Sequence, residues 1–280
     1  VSAADSLVRY IDFHLHTNHS DGADPPARVV ERAAEFGMSA MAITDHDTLS
    51  GIPEARAAAE QAGIEFLNGT EISSQIHRQE THILGLGISL ECDALNNALE
   101  TQAQQRADRA LRIIERLRNL GVPIEMERIE ARAAGGSIGR MHIAQEILSL
   151  GHSTSVQDAF DKFIKAGRPA HVPKAVLPCA EALDLIHEAG GLAFAAHPGI
   201  GNRGSRVLGQ LLKNPFDGIE AYHSRHTDEQ AATFRALARD RNLLVTGGSD
   251  CHGAIKGEAP LMGSVQVPYE CYERILDALN

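Results

Sequence analysis

Short apolar runs, each about one β-strand long, alternate with helix-period segments along most of this chain, and that alternation constrains the fold most. "RYIDF" reads as a strand. "PPARVVERAAEFG" follows as a helix, with Pro25 and Pro26 near its start and Gly37 as its stop. "AMAIT" and "IPEARAAAEQAG" repeat the pattern, and "IEFLNG" is a third strand. "EISSQIHRQETHILGLGI" reads as extended chain around a polar turn. Later strands are "GLAFAA", "GIEAY" and "LLVTGG", with helical segments such as "AEALDLIHEAG" and "DEQAATFRALARDRN" between them. The pattern predicts a parallel βα architecture. Between about Asp93 and Lys174 the rhythm breaks: the long amphipathic "LNNALETQAQQRADRALRIIERLRNLG" is followed by "IGRMHIAQEILSLG" and "SVQDAFDKFIKAG", with no comparable strand between. That stretch predicts a helical insertion in a βα barrel.

The residues that follow each strand carry the chemistry. After "RYIDF" come His14, His16 and Asp21; after "AMAIT" come Asp45, His46 and Asp47; after "IEFLNGT" comes Glu71. His82 sits in the extended piece "ETHILGL". His197 follows "GLAFAA", His223 follows "GIEAY", and Asp250 and His252 follow "LLVTGGS". A parallel barrel brings the C-terminal ends of its strands to one face, so residues distant in sequence reach one cavity. A single histidine at a strand end is usually bland, but this many imidazoles and carboxylates at matching positions are not. Buried together without a cation they would suffer desolvation and like-charge repulsion. Mixed imidazole and carboxylate donors suit zinc, manganese or iron. In "HLH" the strand period turns His14 and His16 to the same side and Leu15 to the other, as two ligands of one ion require.

Composition excludes several alternatives. A formal net charge of −11 argues against sequence-blind binding to duplex DNA. The four cysteines form no CxxC pair, which removes zinc-finger and redox-motif readings and predicts a reduced, cytoplasmic protein. No signal peptide or membrane span is expected, because no apolar stretch approaches the ~18 residues a spanning helix needs. No obligate protein partner is evident.

Together, "DFHLHTNHSDG", "ITDHDT", "NGTEIS", "THILGLG", "AAHPG" and "GGSDCHG" resemble the PHP (polymerase and histidinol phosphatase) superfamily, in family order from Asp12 to His252. The resemblance implies a distorted (β/α)7 TIM-like barrel at 1–97 and 171–280, with a helical insertion, or cap, at 98–170. It implies three divalent metal ions: manganese first, with iron or zinc as substitutes. His14, His16, Glu71 and Asp250 would hold one ion. Glu71, as a bridge, with His82 and His197 would hold a second, and Asp21, His46 and His252 a third.

Within the insertion "GRMHIA", and after it "GRPAHVPK", look like the group that acts on nucleoside 3′,5′-bisphosphates and short 5′-phosphorylated RNA. The expected reaction is metal-dependent removal of the 3′-phosphate to leave a 5′-mononucleotide, with 5′-3′ exonuclease action on short RNA beside it. Phosphatase action on another small ester such as histidinol phosphate is the alternative, and a non-catalytic metal-binding module the third reading. Arg140, Arg168, Lys174, Arg203, Arg206 and Arg225 are the candidate phosphate contacts, and His171 a pocket-lining candidate. Glu71 and Asp250 serve catalysis by holding the ions. His223 is the candidate that supplies a proton to the departing sugar oxygen. Asp45 and Asp47 read either as partners orienting histidines or as turn residues. Met141 and Phe160 read as helix packing.

Overall fold

The computed structural model describes residues 9–77, 79–133, 138–200, 208–209, 212–254 and 261–280. Its sheet is built from β1 (Tyr10–Asp12), β2 (Ala40–Ile43), β3 (Glu65–Ile76), β4 (Gln79–Leu86), β6 (Leu192–Ala195), β7 (Gly218–His223) and β8 (Leu244–Gly248). The short β5 (Leu177–Pro178) pairs with β3, and β9 (Val267–Pro268) runs antiparallel to β1. The order is β8-β7-β6-β4-β3-β2-β1-β9. β1 to β3 are mutually parallel, as are β6 to β8.

Among the seven long strands one departs from the parallel expectation. β4 runs antiparallel to both β3 and β6. The chain has only residues 77 and 78 between β3 and β4, too few for the crossover that a parallel return needs. His77 takes up the turn at φ 47°. The reversal matters for the site, because it brings the first half of β4 to the end of the barrel where the other strands finish.

The sheet closes between β1 and β8 through residues just beyond the two strands. Phe13 N donates to the Gly247 carbonyl at 3.1 Å, and Leu15 and Cys251 form a parallel bridge. Gly248 makes this approach feasible, since a Cβ there would lie 2.5 Å from the His14 nitrogen. Seven strands therefore wall a distorted (β/α)7 barrel. Helices α1 (Pro26–Glu35), α2 (Ile52–Ala62), α7 (Cys179–Glu188), α8 (Asp228–Asp240) and α9 (Glu270–Leu279) flank it. Pro26 opens α1 where its missing N–H costs nothing, and Gly63, left-handed at φ 70°, closes α2. Thr227 caps α8, its hydroxyl accepting from Gln230 N at 3.2 Å.

The remaining helices are α3 (Asp93–Asn119), α4 (Met126–Ala133), α5 (Arg140–Ser149) and α6 (Val156–Ala159), the last running into a π-helical turn at Phe160–Ile164. α3 joins two apolar clusters. Its Leu95 and Leu99 pack with Ile72, Ile83 and Ile186 of the barrel. Its Ile113, Ile114 and Leu117 pack instead with Ile143, Ile147 and Val172. Each such buried side chain contributes roughly 1.5–3 kcal/mol, so the helical segment has an apolar core of its own. No helix among the described residues is long and apolar enough to cross a membrane.

Candidate metal centre

The histidines and carboxylates singled out in the sequence converge at one end of the barrel. His14 Nε2 and His16 Nε2 each lie 3.2 Å from Glu71 Oε2, and 3.5 and 3.3 Å from Asp250 Oδ1. His46 Nδ1 lies 3.2 Å from the same Glu71 Oε2. His82 Nδ1 and His197 Nε2 approach its other oxygen at 2.8 and 2.9 Å. His252 Nε2 lies 3.2 Å from Asp21 Oδ1. Glu71 thus touches five imidazoles.

Backbone ladders hold these donors in place. Asp250 N donates to the His14 carbonyl at 2.9 Å and His16 N to the Cys251 carbonyl at 3.1 Å. His46 and Glu71 form a parallel bridge, and Ala196 N donates to the His82 carbonyl at 3.2 Å. The donors therefore sit on continuations of the barrel strands, which fixes them more closely than free loops would. Two of them occupy left-handed backbone, His197 at φ 29° and Asp250 at φ 55°. Such conformations cost of order 1–3 kcal/mol in a residue with a Cβ and cluster at functional sites.

The donor set fits divalent metal. Three groups whose ligand atoms all lie within 4.8 Å of one another contain residues expected from the sequence: His14, His16, Glu71 and Asp250; His16, Asp21, His46 and His252; and His46, Glu71 and His82. His14 Nε2, both nitrogens of His16, His46 Nδ1 and His197 Nδ1 are buried without a hydrogen-bond partner. Unpaired buried nitrogens are costly unless something else uses their lone pairs. The groups overlap more than the expected sets, which shared only Glu71, because His16 and His46 each belong to two of them, and His197 is in none.

The electrostatics point the same way. Burial opposes charging of His14, yet Glu220, Glu71 and Asp250 raise it well above the usual imidazole range. Burial likewise opposes charging of His16 and His82, but the nearby carboxylates of Asp250 and Glu71 carry His16 to about 10, and the charge of Glu71 carries His82 to about 9. Burial takes His46 the other way, to about 3. Burial disfavours the charged form of Glu71, but His46, His82 and His14 hold it well below the carboxylate range. Without cations, protons on the imidazoles offset the clustered carboxylates.

Several supporting residues were not visible in the sequence. Glu220, inside β7, is fully buried; its Oε1 lies 2.8 Å from His14 Nδ1, and its Oε2 accepts from His197 N at 2.5 Å. A lone carboxylate inside an apolar strand was the available signal. Asp12 accepts from Ser249 Oγ at 2.6 Å and from His14 N at 3.1 Å, tying β1 to β8 beside the donors. Among the described residues, Asp45 and Asp47 hydrogen-bond no imidazole. Asp45 accepts from Thr17 N, Thr17 Oγ1 and Ser20 Oγ at 2.6–2.7 Å, shaping the loop that carries Asp21. Asp47 accepts from Ser73 N at 2.6 Å, from Gln102 and from Arg106, and so ties that strand end to α3.

A cavity of about 720 Å³ opens from His46, His82, Asp250 and His252 towards α3 and α5. Arg140, Lys174 and Arg225 line it, and so do Met141 and Phe160. Lys174 Nζ already bonds Glu80 Oε1 at 2.6 Å and Ser73 Oγ at 2.9 Å. His171 lies outside this lining, its carbonyl accepting from Arg116, and Arg168 is exposed. Arg203 and Arg206 lie outside the described residues. His223 Nε2 is 3.4 Å from Asp250 Oδ2, and its Nδ1 accepts from Arg225 N at 3.0 Å.

A seven-stranded barrel with imidazoles and carboxylates gathered at one end defines a metal-dependent hydrolase. The PHP domain profile matches residues 12–114. Over 247 residues the chain is 34% identical to "5'-3' exoribonuclease Rnm" of Escherichia coli, covering 86% of this chain and 84% of the relative. It is 32% identical over 273 residues to the "3',5'-nucleoside bisphosphate phosphatase" of Chromobacterium violaceum, covering 93% of each. A crystal structure of a Bifidobacterium adolescentis protein superposes with a TM-score of 0.84 at 30% identity, covering 97% of this chain and 96% of the other. This chain belongs to the PHP family, and it is a metal-dependent phosphoesterase.

Proposed function

We propose that this phosphoesterase removes the 3′-phosphate of nucleoside 3′,5′-bisphosphates, such as 3′-phosphoadenosine 5′-phosphate, leaving a 5′-mononucleotide and phosphate. The observation that carries the reading is the shape of charge in the cavity. Metal donors line the same cavity as Arg140, for which the described residues offer no carboxylate partner. A substrate with one phosphate would leave that arginine without a role, which disfavours histidinol phosphate. The Chromobacterium relative carries this activity in its name. The 5′ end of a short RNA presents the same terminal phosphate, and the Escherichia relative is named for 5′-3′ action on RNA, so we infer a second, exonucleolytic use of the site. All four cysteines are free, which suits a cytoplasmic enzyme.

His14, His16, Glu71 and Asp250 would hold one divalent ion, Glu71 with His82 and His197 a second, and Asp21, His46 and His252 a third. Manganese is our first choice for this mixed imidazole and carboxylate set, with iron or zinc as substitutes. Bound divalent ions supply charge for the phosphoryl oxygens and acidify water for attack. The chain's own residues do the rest. Glu71 and Asp250 keep the imidazoles oriented and balance charge. Glu220 holds the proton of His14 on Nδ1 and so aims Nε2 inward. His223 accepts a backbone N–H at Nδ1, which leaves its proton on Nε2, facing Asp250. Held this way, the ring presents Nε2 to the departing sugar oxygen, the proton-supplying role expected of it. The same tautomer makes His223 a poor metal ligand, although it lies with His14 and Glu220 in a further cluster. Lys174, Arg203 and Arg225 are further phosphate-contact candidates.

A panel with released phosphate as readout tests the reading. Adenosine 3′,5′-bisphosphate should exceed adenosine 3′-monophosphate, histidinol phosphate and p-nitrophenyl phosphate in kcat/KM. Histidinol phosphate as the best substrate would overturn it.

A further inference from the structure

The metal donors differ in how they are held. His14 has Glu220 against the ring nitrogen that faces away from the cluster. Among the described residues, Nδ1 of His197 is buried with no hydrogen-bond partner. Histidines that serve a metal usually have a partner on the other nitrogen, and that partner sets the direction of the ring. With none there, His197 depends on its backbone to aim the ring, and that backbone is left-handed at φ 29°. A residue with a Cβ keeps such a conformation only where its surroundings enforce it.

The enforcement comes from the start of α8. His197 N donates to Glu220 Oε2, and Ile200 N donates to the His197 carbonyl at 3.1 Å, which closes the segment into a turn. Gly199 in that turn is gripped on both sides. Its N–H donates to His226 Nε2 at 3.1 Å, and its carbonyl accepts from Gln230 Nε2 at 3.3 Å. Accepting at Nε2 leaves the His226 proton on Nδ1, which donates to the Ala221 carbonyl at 3.0 Å. The ring thus ties β7 to the turn after β6, with both nitrogens in use. Only glycine leaves room for it, since a Cβ at Gly199 would lie 2.7 Å from His226 Cδ2. Gln230 also exceeds the needs of its own helix. Its Oε1 accepts from Thr227 N at 2.9 Å in a capping box, a task that glutamate does equally well. Glutamate has no N–H to offer the Gly199 carbonyl.

We propose that His226 and Gln230 are positioning residues: by gripping the Gly199 peptide they hold His197 Nε2 beside Glu71 Oε1, at 2.9 Å, where an ion is bound. Neither residue lines the cavity, so their effect passes through His197. The proposal rests on the reading that His197, with Glu71 and His82, holds one of the ions.

The test compares Mn²⁺ binding by wild type, His197→Ala, Gln230→Glu and His226→Phe, measured by stepwise competition with a chelator. His197→Ala should lose one equivalent. Gln230→Glu should bind one ion about tenfold more weakly and the others as wild type does, the low end of what a partner behind a ligand contributes. The spin-coupled resonance of an Mn²⁺ pair, which needs both ions on Glu71, should weaken with it. The melting temperature of metal-free Gln230→Glu should stay within about 2 °C of wild type, since the capping box survives. His226→Phe keeps a ring and removes both nitrogens, and should weaken the same ion about tenfold or more. Wild-type affinity for every ion in either variant overturns the proposal. So does a uniform weakening of all ions with a lowered melting temperature, which makes the contacts ordinary packing. Should His226→Phe not fold, Gln230→Glu decides alone. If His197→Ala keeps every ion, the ligand reading falls and the grip with it. If His197→Ala loses an ion while Gln230→Glu binds as wild type, the grip alone falls.

Discussion

Glu220 Oε1 lies 2.8 Å from His14 Nδ1, and neither side chain is exposed. The pair orients the His14 ring, so that Nε2 faces Glu71 and Asp250, where its lone pair can serve an ion. Carboxylates in this position typically account for 10–100-fold in metal affinity. Glu220→Gln should therefore weaken Mn²⁺ binding by about that factor while keeping the fold, as read by competition with a chelator. Unchanged affinity would mean that the His14 backbone contacts alone orient the ring.

Carefully prepared protein should carry two to three equivalents of transition metal by elemental analysis, and chelation should abolish phosphatase activity until Mn²⁺ is returned. Full activity in a demonstrably metal-free sample would contradict the site.

Metal uptake should also release protons. With His16 raised to about 10 and His82 to about 9, both are charged in metal-free protein at neutral pH. An ion needs their lone pairs, so affinity should fall as pH falls. The raised values stabilise the metal-free fold fully below the unfolded imidazole value of about 6.5. That contribution is lost as pH rises through 9 to 10. Calorimetry in buffers of differing ionisation enthalpy reads the released protons, and a melting curve against pH reads the loss. A buffer-independent binding heat would refute the coupling.

Glu71 touches His14, His16 and His46 through one oxygen and His82 and His197 through the other. Glu71→Gln keeps the shape and removes the charge, and kcat should drop by at least about 100-fold even at saturating Mn²⁺. Near-normal turnover would show that another residue links the donor groups.

Asp47, left-handed at φ 54°, accepts from Ser73 N, Gln102 and Arg106. Asp47→Ala removes the acceptor for a buried N–H and deprives Arg106 of this carboxylate. The cost should be about 2–4 kcal/mol in urea denaturation. Asp47→Asn, which tolerates the left-handed backbone and keeps one acceptor oxygen, should lose less. Equal stability of Asp47→Ala and wild type would make the link between β3 and α3 incidental.

Every cluster residue expected from the sequence arrives at the same end of the barrel, because strand alternation and the side-chain period of two are local properties. His14 and His16 face one way with Leu15 buried outward among Val29, Val30 and Met41, as the spacing alone requires. His82 is more instructive. Its motif was legible, but it reaches the site because β4 runs backwards, a consequence of the two-residue connection after Ile76.

The sequence by itself determined the alternating strands and helices, the run of helices after β4 and the imidazoles and carboxylates that follow the strands, since each depends on neighbours along the chain. Only the tertiary structure decided which residues support them. Glu220 meets His14 across 206 positions, and Ser249 meets Asp12 across 237. Arg109 becomes a buried cation without a carboxylate only once α3 is packed against the segment holding Val172. A carboxylate or guanidinium in a sequence is charged and exposed by default; its environment comes from residues that folding brings to it.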